Sequence, residues 1–203
     1  GIYAGMVAAQ HDAEGPAVSP DGRRIAFSRK NLTGYFRIAV AELSNPGQVT
    51  LLTGDEDGLF DHLSPAWSPD GRLLAYYDFR NLWLVPASGG RPWRLTDAPE
   101  VDGHPAWSSD GRNIYFSSMR GGTLALWRVS AAGGAAGRVT LGTGPKVEPS
   151  LSRNGERLAY STHVSNLDVV LLDLRSGERA SLAGLRRDCL PVIAPDRSRI
   201  VFS

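Results

Sequence analysis

The stretch 65-PAWSPDGRLLAYY-77 decides the fold, because nearly the same string returns at residues 105–117 as PAWSSDGRNIYFS. A string that recurs within one chain is more typical of a structural unit than of an active site. With its first proline as the anchor, the string has five copies, spaced 49, 40, 44 and 42 residues apart. The anchors are Pro16, Pro65, Pro105, Pro149 and Pro191.

Each copy predicts a strand, a tight turn and a second strand. Apolar residues stand nine and eleven residues after each anchor, and side chains two residues apart share one face of a strand. The residue between them is also apolar, so we expect both faces of the second strand to be covered, as in stacked sheets. Asp-Gly at 21–22, 70–71 and 110–111 and Asn-Gly at 154–155 predict a hairpin turn, since Gly takes a positive φ without strain. The fifth copy has Asp196-Arg197 instead, which predicts a longer or strained turn.

Two more strands follow in every complete repeat. The third strand is predicted at 36–40, 82–85, 125–129 and 168–172, and the fourth at 49–52, 93–96, 138–141 and 179–182. No segment has helical periodicity over ten residues. Repeats of about 40 to 50 residues with four antiparallel strands are typical of propeller blades. We therefore predict an all-β propeller in one domain, 1–203, with blades at about 16–53, 65–96, 105–141 and 149–183. A partial fifth blade spans 191–203, and residues 1–10 are a candidate to complete it.

The motif PAWSPDGR.LAY, followed by GG.P.RLT and a new PAWS.DGR, resembles the TolB-type β-propeller repeat, a relative of the WD repeat. The resemblance covers essentially the whole chain, and copies four and five depart from it at the Pro-Asp-Gly positions. TolB-like propellers generally have six or more blades, so we expect this chain to be part of a longer propeller. The resemblance also favours a periplasmic or otherwise extracytoplasmic location. Similar repeats are appended to bacterial winged-helix regulators and receptor kinases.

Composition excludes some classes of function. A formal net charge of +1 gives no basic excess for nucleic-acid binding, and no apolar run reaches the length of a membrane span. The single cysteine, Cys189, excludes an internal disulfide and is interpreted as a small buried side chain. The five tryptophans, at strand or repeat-equivalent positions, are interpreted as core.

The connections just before each anchor are the candidate site, because in a propeller they gather around the channel mouth. All five contain an acid, and three of the four histidines lie there. A concave place with several convergent polar groups is the default binding hypothesis. Acids outnumber bases there, which favours a cationic ligand or a metal. The candidate ligand-binding residues are Asp12, Asp61, His62, Asp102, His104 and Glu148.

The alternative is that these acids cap the turn into the first strand and that the histidines fill polar loop space. A divalent metal is a weaker hypothesis, with His11, His62 and His104 as candidate ligands. His163 is placed in a loop between second and third strands. No motif of a hydrolase, zinc protease or nucleotide-binding enzyme is present.

We therefore predict a non-enzymatic module without a cofactor that recognises a protein, peptide or small ligand and neither binds nucleic acid nor inserts into a membrane. The TolB-type resemblance implies two enzymatic alternatives. One is a metal-dependent enzyme similar to oligogalacturonate lyase, which needs the three histidines on one metal. The other is the gating propeller of a prolyl-oligopeptidase-type hydrolase, whose catalytic domain is not in this chain.

Overall fold

The described part of the chain is built from β-strands. The computed structural model describes residues 12–55, 58, 60–141, 144–163, 167–181, 191–193 and 200–201. These residues form strands, a three-residue 3-10 helix at Arg120–Gly122 and no α-helix. The predicted all-β class and the four-stranded repeat are therefore confirmed.

Four sheets have four antiparallel strands each, hydrogen-bonded in sequence order. The first contains β1 (Ala13–Val18), β2 (Arg24–Lys30), β3 (Phe36–Glu42) and β4 (Asn45–Leu51). The second contains β5 (Leu63–Trp67), β6 (Leu73–Tyr77), β7 (Leu82–Pro86) and β8 (Trp93–Arg94). The third contains β9 (Asp102–Trp107), β10 (Asn113–Ser118), β11 (Ala125–Ser130) and β12 (Gly137–Arg138). The fourth contains β13 (Lys146–Leu151), β14 (Arg157–His163), β15 (Leu167–Asp173) and β16 (Arg179–Ser181). A further pair consists of β17 (Val192–Ile193) and β18 (Ile200–Val201).

The observed strands contain every predicted third strand, whereas the fourth strands differ in length. β8 and β12 are only two residues long, and β4 begins four residues earlier than predicted. Beyond β8 and β12, Thr96 and Thr140 stay bonded to the third strand, where their hydroxyls accept from the Leu82 and Leu126 N–H groups at 2.9 and 3.0 Å. His163 is the last residue of β14, and not a loop residue as expected.

The chain divides into two compact units, residues 1–105 and 106–203. In the first unit, β1 lies against β5, so the first strands of neighbouring sheets are adjacent. In the second unit, β13 lies against β17 in the same way. The assignment of 1–203 to a single domain stays a prediction.

Each unit has a core between two stacked sheets. In the first unit, Ala26, Ile38 and Val40 pack against Trp67, Leu74, Tyr76, Val85 and Ala87 of the next sheet. In the second unit, Tyr115 and Leu126 pack against Leu158, Tyr160 and Leu172. Ala26 and Tyr115 are middle residues of the second-strand triplets, so the prediction that both faces of these strands are covered is confirmed.

The Asp-Gly turns form as predicted, with a serine that the sequence argument overlooked. Gly22, Gly71, Gly111 and Gly155 have φ values of 71, 69, 70 and 70°. In the second sheet, Ser68 Oγ donates to Asp70 Oδ1 at 2.7 Å and accepts from the Leu73 N–H at 2.9 Å. The turns at Ser19, Ser108 and Ser152 repeat this arrangement. The turn at Asp196-Arg197 lies outside the described residues.

The first strands of the four four-stranded sheets start two or three residues before their anchors rather than after them. The anchoring proline lies inside the strand, and the pairing register shifts around it in β1, β5 and β13. Proline cannot donate to a ladder, so a strand accommodates it in a bulge. The residue before each proline adopts a positive φ: 62° at Gly15, 51° at Ser64, 51° at His104 and 57° at Glu148.

Two of the five tryptophans that were predicted to be core residues are buried. Trp67 and Trp107 are buried, and Trp83 packs partly buried against the first core. Trp93 is 42% exposed, because the short β8 at the sheet edge leaves its side chain uncovered.

Candidate ligand-binding surface

The connections before the first strands and those between the second and third strands lie at the same end of the first unit. The His62 N–H donates to the Phe36 carbonyl at 3.0 Å, and the Lys30 N–H donates to the Asp12 carbonyl at 2.8 Å. The Asp102 N–H donates to the Arg80 carbonyl at 2.9 Å. We call this end of the first unit its loop end. Its described residues are 31–35, 52–55, 58, 60–62, 78–81 and 95–101.

Three ionisable residues occupy one buried position of the repeat, three residues before the anchor. His62, Asp102 and Lys146 are 2%, 0% and 4% exposed. Each donates its backbone N–H to the preceding sheet where the third strand begins: His62 to the first residue of β3, and Asp102 and Lys146 to the connection just before the third strand, where the Lys146 acceptor is the Leu124 carbonyl. This backbone role explains the common position despite three different side chains. The sequence signal for this position was its fixed offset of three residues before the proline, but Lys146 was not among the predicted site residues.

His62 lies in the connection before β5, and its side chain is buried. Its Nδ1 lies 2.8 Å from Thr53 Oγ1, and its ring centroid lies 4.9 Å from that of Tyr76. Burial and, secondarily, the Arg37 charge lower the pKa of His62 to about 4. The imidazole is therefore neutral at pH 7.

Lys146 is buried in the second unit, where Nζ donates to the Gly144 carbonyl at 2.9 Å. Burial lowers the pKa of this ammonium group, and Arg179 and Arg138 lower it further.

The candidate carboxylates have structural partners. Asp61 Oδ1 accepts from the Phe36 N–H at 2.8 Å, which satisfies the first amide of β3. Glu148 Oε2 accepts from Ser161 Oγ at 3.0 Å in the second unit. Asp102 is fully buried, whereas Asp12 is exposed. The hydrogen bond of Asp61 joins it to the third strand of the preceding sheet and not to the turn into its own first strand.

The structure brings His104 together with aromatic residues that the sequence argument did not single out. The His104 ring lies 5.3 Å from Tyr77, which in turn lies 5.6 Å from Phe79 in an edge-to-face contact. The Arg80 guanidinium lies 5.2 Å from the ring centroid of Phe60. Phe60 and Phe79 are 45% and 49% exposed. We call His104, Tyr77, Phe79, Arg80 and Phe60 the aromatic patch. The sequence signal for it was an aromatic residue and an arginine within the short turn DFRN (78–81).

The turn that presents Phe79 and Arg80 is held by Asp78. Its Oδ1 accepts from the N–H groups of Arg80 and Asn81 at 3.0 and 2.7 Å, and its Oδ2 accepts from Trp83 Nε1 at 2.8 Å. Phe79 has a φ of 66°, which is uncommon for a bulky side chain. The side chains of Phe79 and Arg80 therefore project from a fixed backbone.

Arg37 of β3 holds the connection between β4 and β5, which contains Phe60. Its guanidinium is fully buried and donates to Asp55 Oδ1 at 2.7 Å, to the Phe60 carbonyl at 2.7 Å and to the Gly58 carbonyl at 3.0 Å. The hydrogen bond from Arg37 lowers the pKa of Asp55 below its ordinary value. Phe60 is thereby anchored through its backbone while its ring stays exposed.

Convergence of all six candidate residues stays a prediction. Glu148 belongs to the second unit, whereas the others belong to the first. His11, Asp188 and Cys189 lie outside the described residues. Among the residues that the structure describes, no three His, Cys, Asp or Glu side chains are placed to hold a metal ion. Within the same residues, no helix is long and apolar enough to cross a membrane.

Comparisons with known proteins agree with the repeat. Residues 15–203 match the family described as the TolB beta propeller domain. An uncharacterized protein of Agrobacterium fabrum is 29% identical over 83% of this chain and 60% of its own length. The uncharacterized peptidase YuxL of Bacillus subtilis is 27% identical over 93% of this chain and 29% of its own length. The crystal structure of TolB from Acinetobacter baumannii superposes with a TM-score of 0.84 at 22% identity, over 96% of this chain and 49% of that one. The chain thus spans less than two thirds of both sequence relatives.

Proposed function

Because this chain belongs to the TolB beta-propeller domain family, we propose that it is a non-enzymatic recognition module that binds a partner at its loop end. The membership confirms the resemblance seen in the repeats, but a fold by itself does not assign a function. The observation that carries the proposal is the aromatic patch, where two half-exposed rings and an arginine project from an anchored backbone.

Exposed aromatic side chains on rigid supports are typical of binding surfaces. Tyr, Trp and Arg are enriched among the residues that dominate interface energies, and fixed rings lose little entropy on binding. Phe60 is anchored through Arg37, and Phe79 through Asp78. Asp12, Asp61 and His104 lie at the same end, so these three of the six predicted ligand-binding residues belong with the aromatic patch to one proposed surface of the first unit.

The proposed partner is a protein or peptide, and the proposed location is extracytoplasmic. Binding to nucleic acid and insertion into a membrane are not part of the proposal, since the net charge is +1 and the repeat is of the TolB type. The module needs no cofactor for recognition.

Site-specific photo-crosslinking tests the proposal. A benzoylphenylalanine replaces Phe60 at the loop end, and in a matched control it replaces Trp93, an aromatic residue of similar exposure on β8. We expect covalent adducts in the native host from position 60 and none from position 93. Adducts from position 93 alone, or from neither position, would contradict binding at the loop end.

A second candidate function is the propeller segment of a longer peptidase. The match to the Bacillus peptidase favours it, since it covers 93% of this chain but only 29% of that protein. Hydrolysis of a chromogenic peptide by the full-length gene product tests this candidate. Metal analysis of the same protein tests the metal-dependent alternative, in which His11, His62 and His104 bind one ion.

A further inference from the structure

We propose that the aromatic patch binds an anionic segment of the partner, in which a carboxylate stands next to an aromatic or aliphatic side chain. This inference rests on the proposed function and specifies the chemistry of its partner. It reverses the expectation from the sequence, where an excess of acids favoured a cationic ligand.

Three of the acids that the structure describes at the loop end, Asp55, Asp61 and Asp78, are engaged within the protein. Asp55 pairs with the buried Arg37, and Asp61 accepts from the Phe36 N–H. Asp78 is 7% exposed and accepts three hydrogen bonds within its own turn and from Trp83. A carboxylate that is already bound and partly buried contributes little to attracting a cation. Counting acids in the sequence therefore overstates the negative charge available to a ligand.

Arg80 is the available charge at the patch. Its side chain is exposed, and no described residue forms an ion pair with it. Its guanidinium carbon lies over the Phe60 ring, 5.2 Å from the ring centroid. The planar fork of N–H donors in a guanidinium matches a carboxylate in a bidentate pair.

Asp12 and Asp97 are further exposed acids at the same end of the unit, and Asp97 pairs with Arg94 at 3.0 Å. Asp12 forms no such ion pair within the described part of the chain. It lies on the first sheet, and the backbone of Lys30 donates to its carbonyl, which brings a second exposed cation to that connection. The charge of Asp12 is thus accompanied by that of Lys30, whereas Arg80 has no such counterpart among the described residues.

The rings explain why the anionic segment needs an apolar neighbour. Phe60 and Phe79 are 45% and 49% exposed; Phe60 contacts the Arg80 guanidinium, and Phe79, the chain neighbour of Arg80, contacts Tyr77 edge to face. Burial of exposed aromatic surface stabilises a complex at roughly 25 cal/mol per Å² before the costs of association. A carboxylate bound by Arg80 places the adjacent side chain of the partner where it can cover these rings.

Nuclear magnetic resonance titration of the ¹⁵N-labelled chain tests the inference. The probes are the capped tetrapeptides Gly-Asp-Phe-Gly, Gly-Lys-Phe-Gly and Gly-Asp-Ala-Gly. We expect the first to shift the amides of residues 78–81 and His104, with an affinity about tenfold above that of the lysine peptide, because a charge-assisted pair replaces a repulsive one. We expect the alanine peptide to bind more weakly than the first, and added salt to weaken the binding of both acidic peptides.

Two variants and a control locate the binding. Arg80→Glu should abolish binding of the acidic peptides, whereas Arg72→Glu should leave it unchanged, since Arg72 is an exposed arginine in the Asp-Gly turn between β5 and β6. Phe79→Asn should remove binding without lowering the melting temperature, because Asn tolerates the positive φ that strains a phenylalanine. If Phe79→Asn is folded, its loss of peptide binding is due to the missing ring and not to unfolding.

The outcomes separate the inference from the proposed function. Stronger binding of the lysine peptide at the same amides, or unchanged binding in Arg80→Glu, would overturn the inference and leave recognition at the loop end standing. If no peptide shifts these amides, the inference is also overturned, and the crosslinking from position 60 alone decides the proposed function.

Discussion

At the scale of single residues, His62 shows how an ionisable side chain becomes part of the core. Its ring is covered by Tyr76 and Thr53, and desolvation lowers its pKa to about 4 from the ordinary value of 6.5. Protonation in the folded state therefore costs more than protonation in the unfolded chain. The unfolded state binds more protons between these two values, so stability increases with pH across that interval.

We expect the contribution of His62 to be complete above about pH 6.5 and to be lost as the pH falls toward 4. Its size is at most about 3 kcal/mol, from 1.36 kcal/mol per pKa unit. Urea unfolding of the wild type and of His62→Gln between pH 4 and pH 7.5 measures it. The difference in unfolding free energy between the two proteins should grow with pH in this interval. A difference that does not change with pH would mean that His62 titrates normally in the folded protein.

At the scale of elements, the tight turn after each first strand depends on a glycine in the left-handed region. Gly71 and Gly111 have φ values of 69 and 70°. We expect Gly71→Val and Gly111→Val each to lower the unfolding free energy by about 1 kcal/mol or more, because β-branched residues tolerate positive φ poorly. Gly137→Ala is the control, since Gly137 has no positive φ and open space around it. Denaturant midpoints equal to wild type in both valine variants would contradict the turn assignment.

A residue near the start of each of the third strands β3, β7 and β11 is hydrogen-bonded to a threonine that follows the fourth strand. Thr53, Thr96 and Thr140 are buried and accept the N–H groups of Ile38, Leu82 and Leu126 at 3.0, 2.9 and 3.0 Å. Replacement by valine keeps the shape but leaves a buried donor without this acceptor.

We expect Thr96→Val to destabilise the chain by about 1–3 kcal/mol, the cost of an unsatisfied buried donor. Thr50→Val, on the exposed side of β4, should change stability by less than about 0.5 kcal/mol, as is usual at surfaces. Thermal unfolding followed by circular dichroism compares the two variants. Equal melting temperatures would show that the Thr96 hydroxyl does not support β7.

At the scale of the whole molecule, each unit is held together by contacts between its stacked sheets. In the first unit, Arg24 Nη2 donates to the Gly71 carbonyl at 3.0 Å, and its guanidinium lies 4.6 Å from the centroid of the Trp67 ring. Trp67 Nε1 donates to the Ala17 carbonyl at 2.9 Å. These polar contacts cross the same pair of sheets as the apolar core, so they fix how the two sheets stack.

We expect Arg24→Leu to lower the unfolding free energy by about 1–2 kcal/mol, because a charge-assisted hydrogen bond and a cation–π contact are lost together. Arg23→Leu, at the exposed neighbouring position, is the matched control and should have little effect. Urea midpoints measure both variants. A loss of stability in Arg23→Leu as large as that in Arg24→Leu would attribute the effect to surface charge and not to the contact between sheets.

Much of the architecture was determined by the sequence itself. Apolar residues two apart, Asp-Gly turns and a proline repeated every 40 to 49 residues predicted the first three strands and the sheet stacking, because these patterns act between near neighbours in the chain. The family resemblance of the repeat followed from the same residues. The fourth strands were less accurate, because their ends depend on threonine hydroxyls that reach a different strand.

Only the tertiary structure decided which polar residues are available to a ligand. His62, Asp102 and Lys146 have no side-chain chemistry in common, and each is buried at the position where its backbone N–H donates to the preceding sheet. The contact of Arg80 with Phe60 joins positions twenty residues apart, and no local pattern encodes it. Side-chain exposure and pairing are set by neighbours that folding brings from distant parts of the chain, so a local pattern predicts a strand or a turn but not its surroundings.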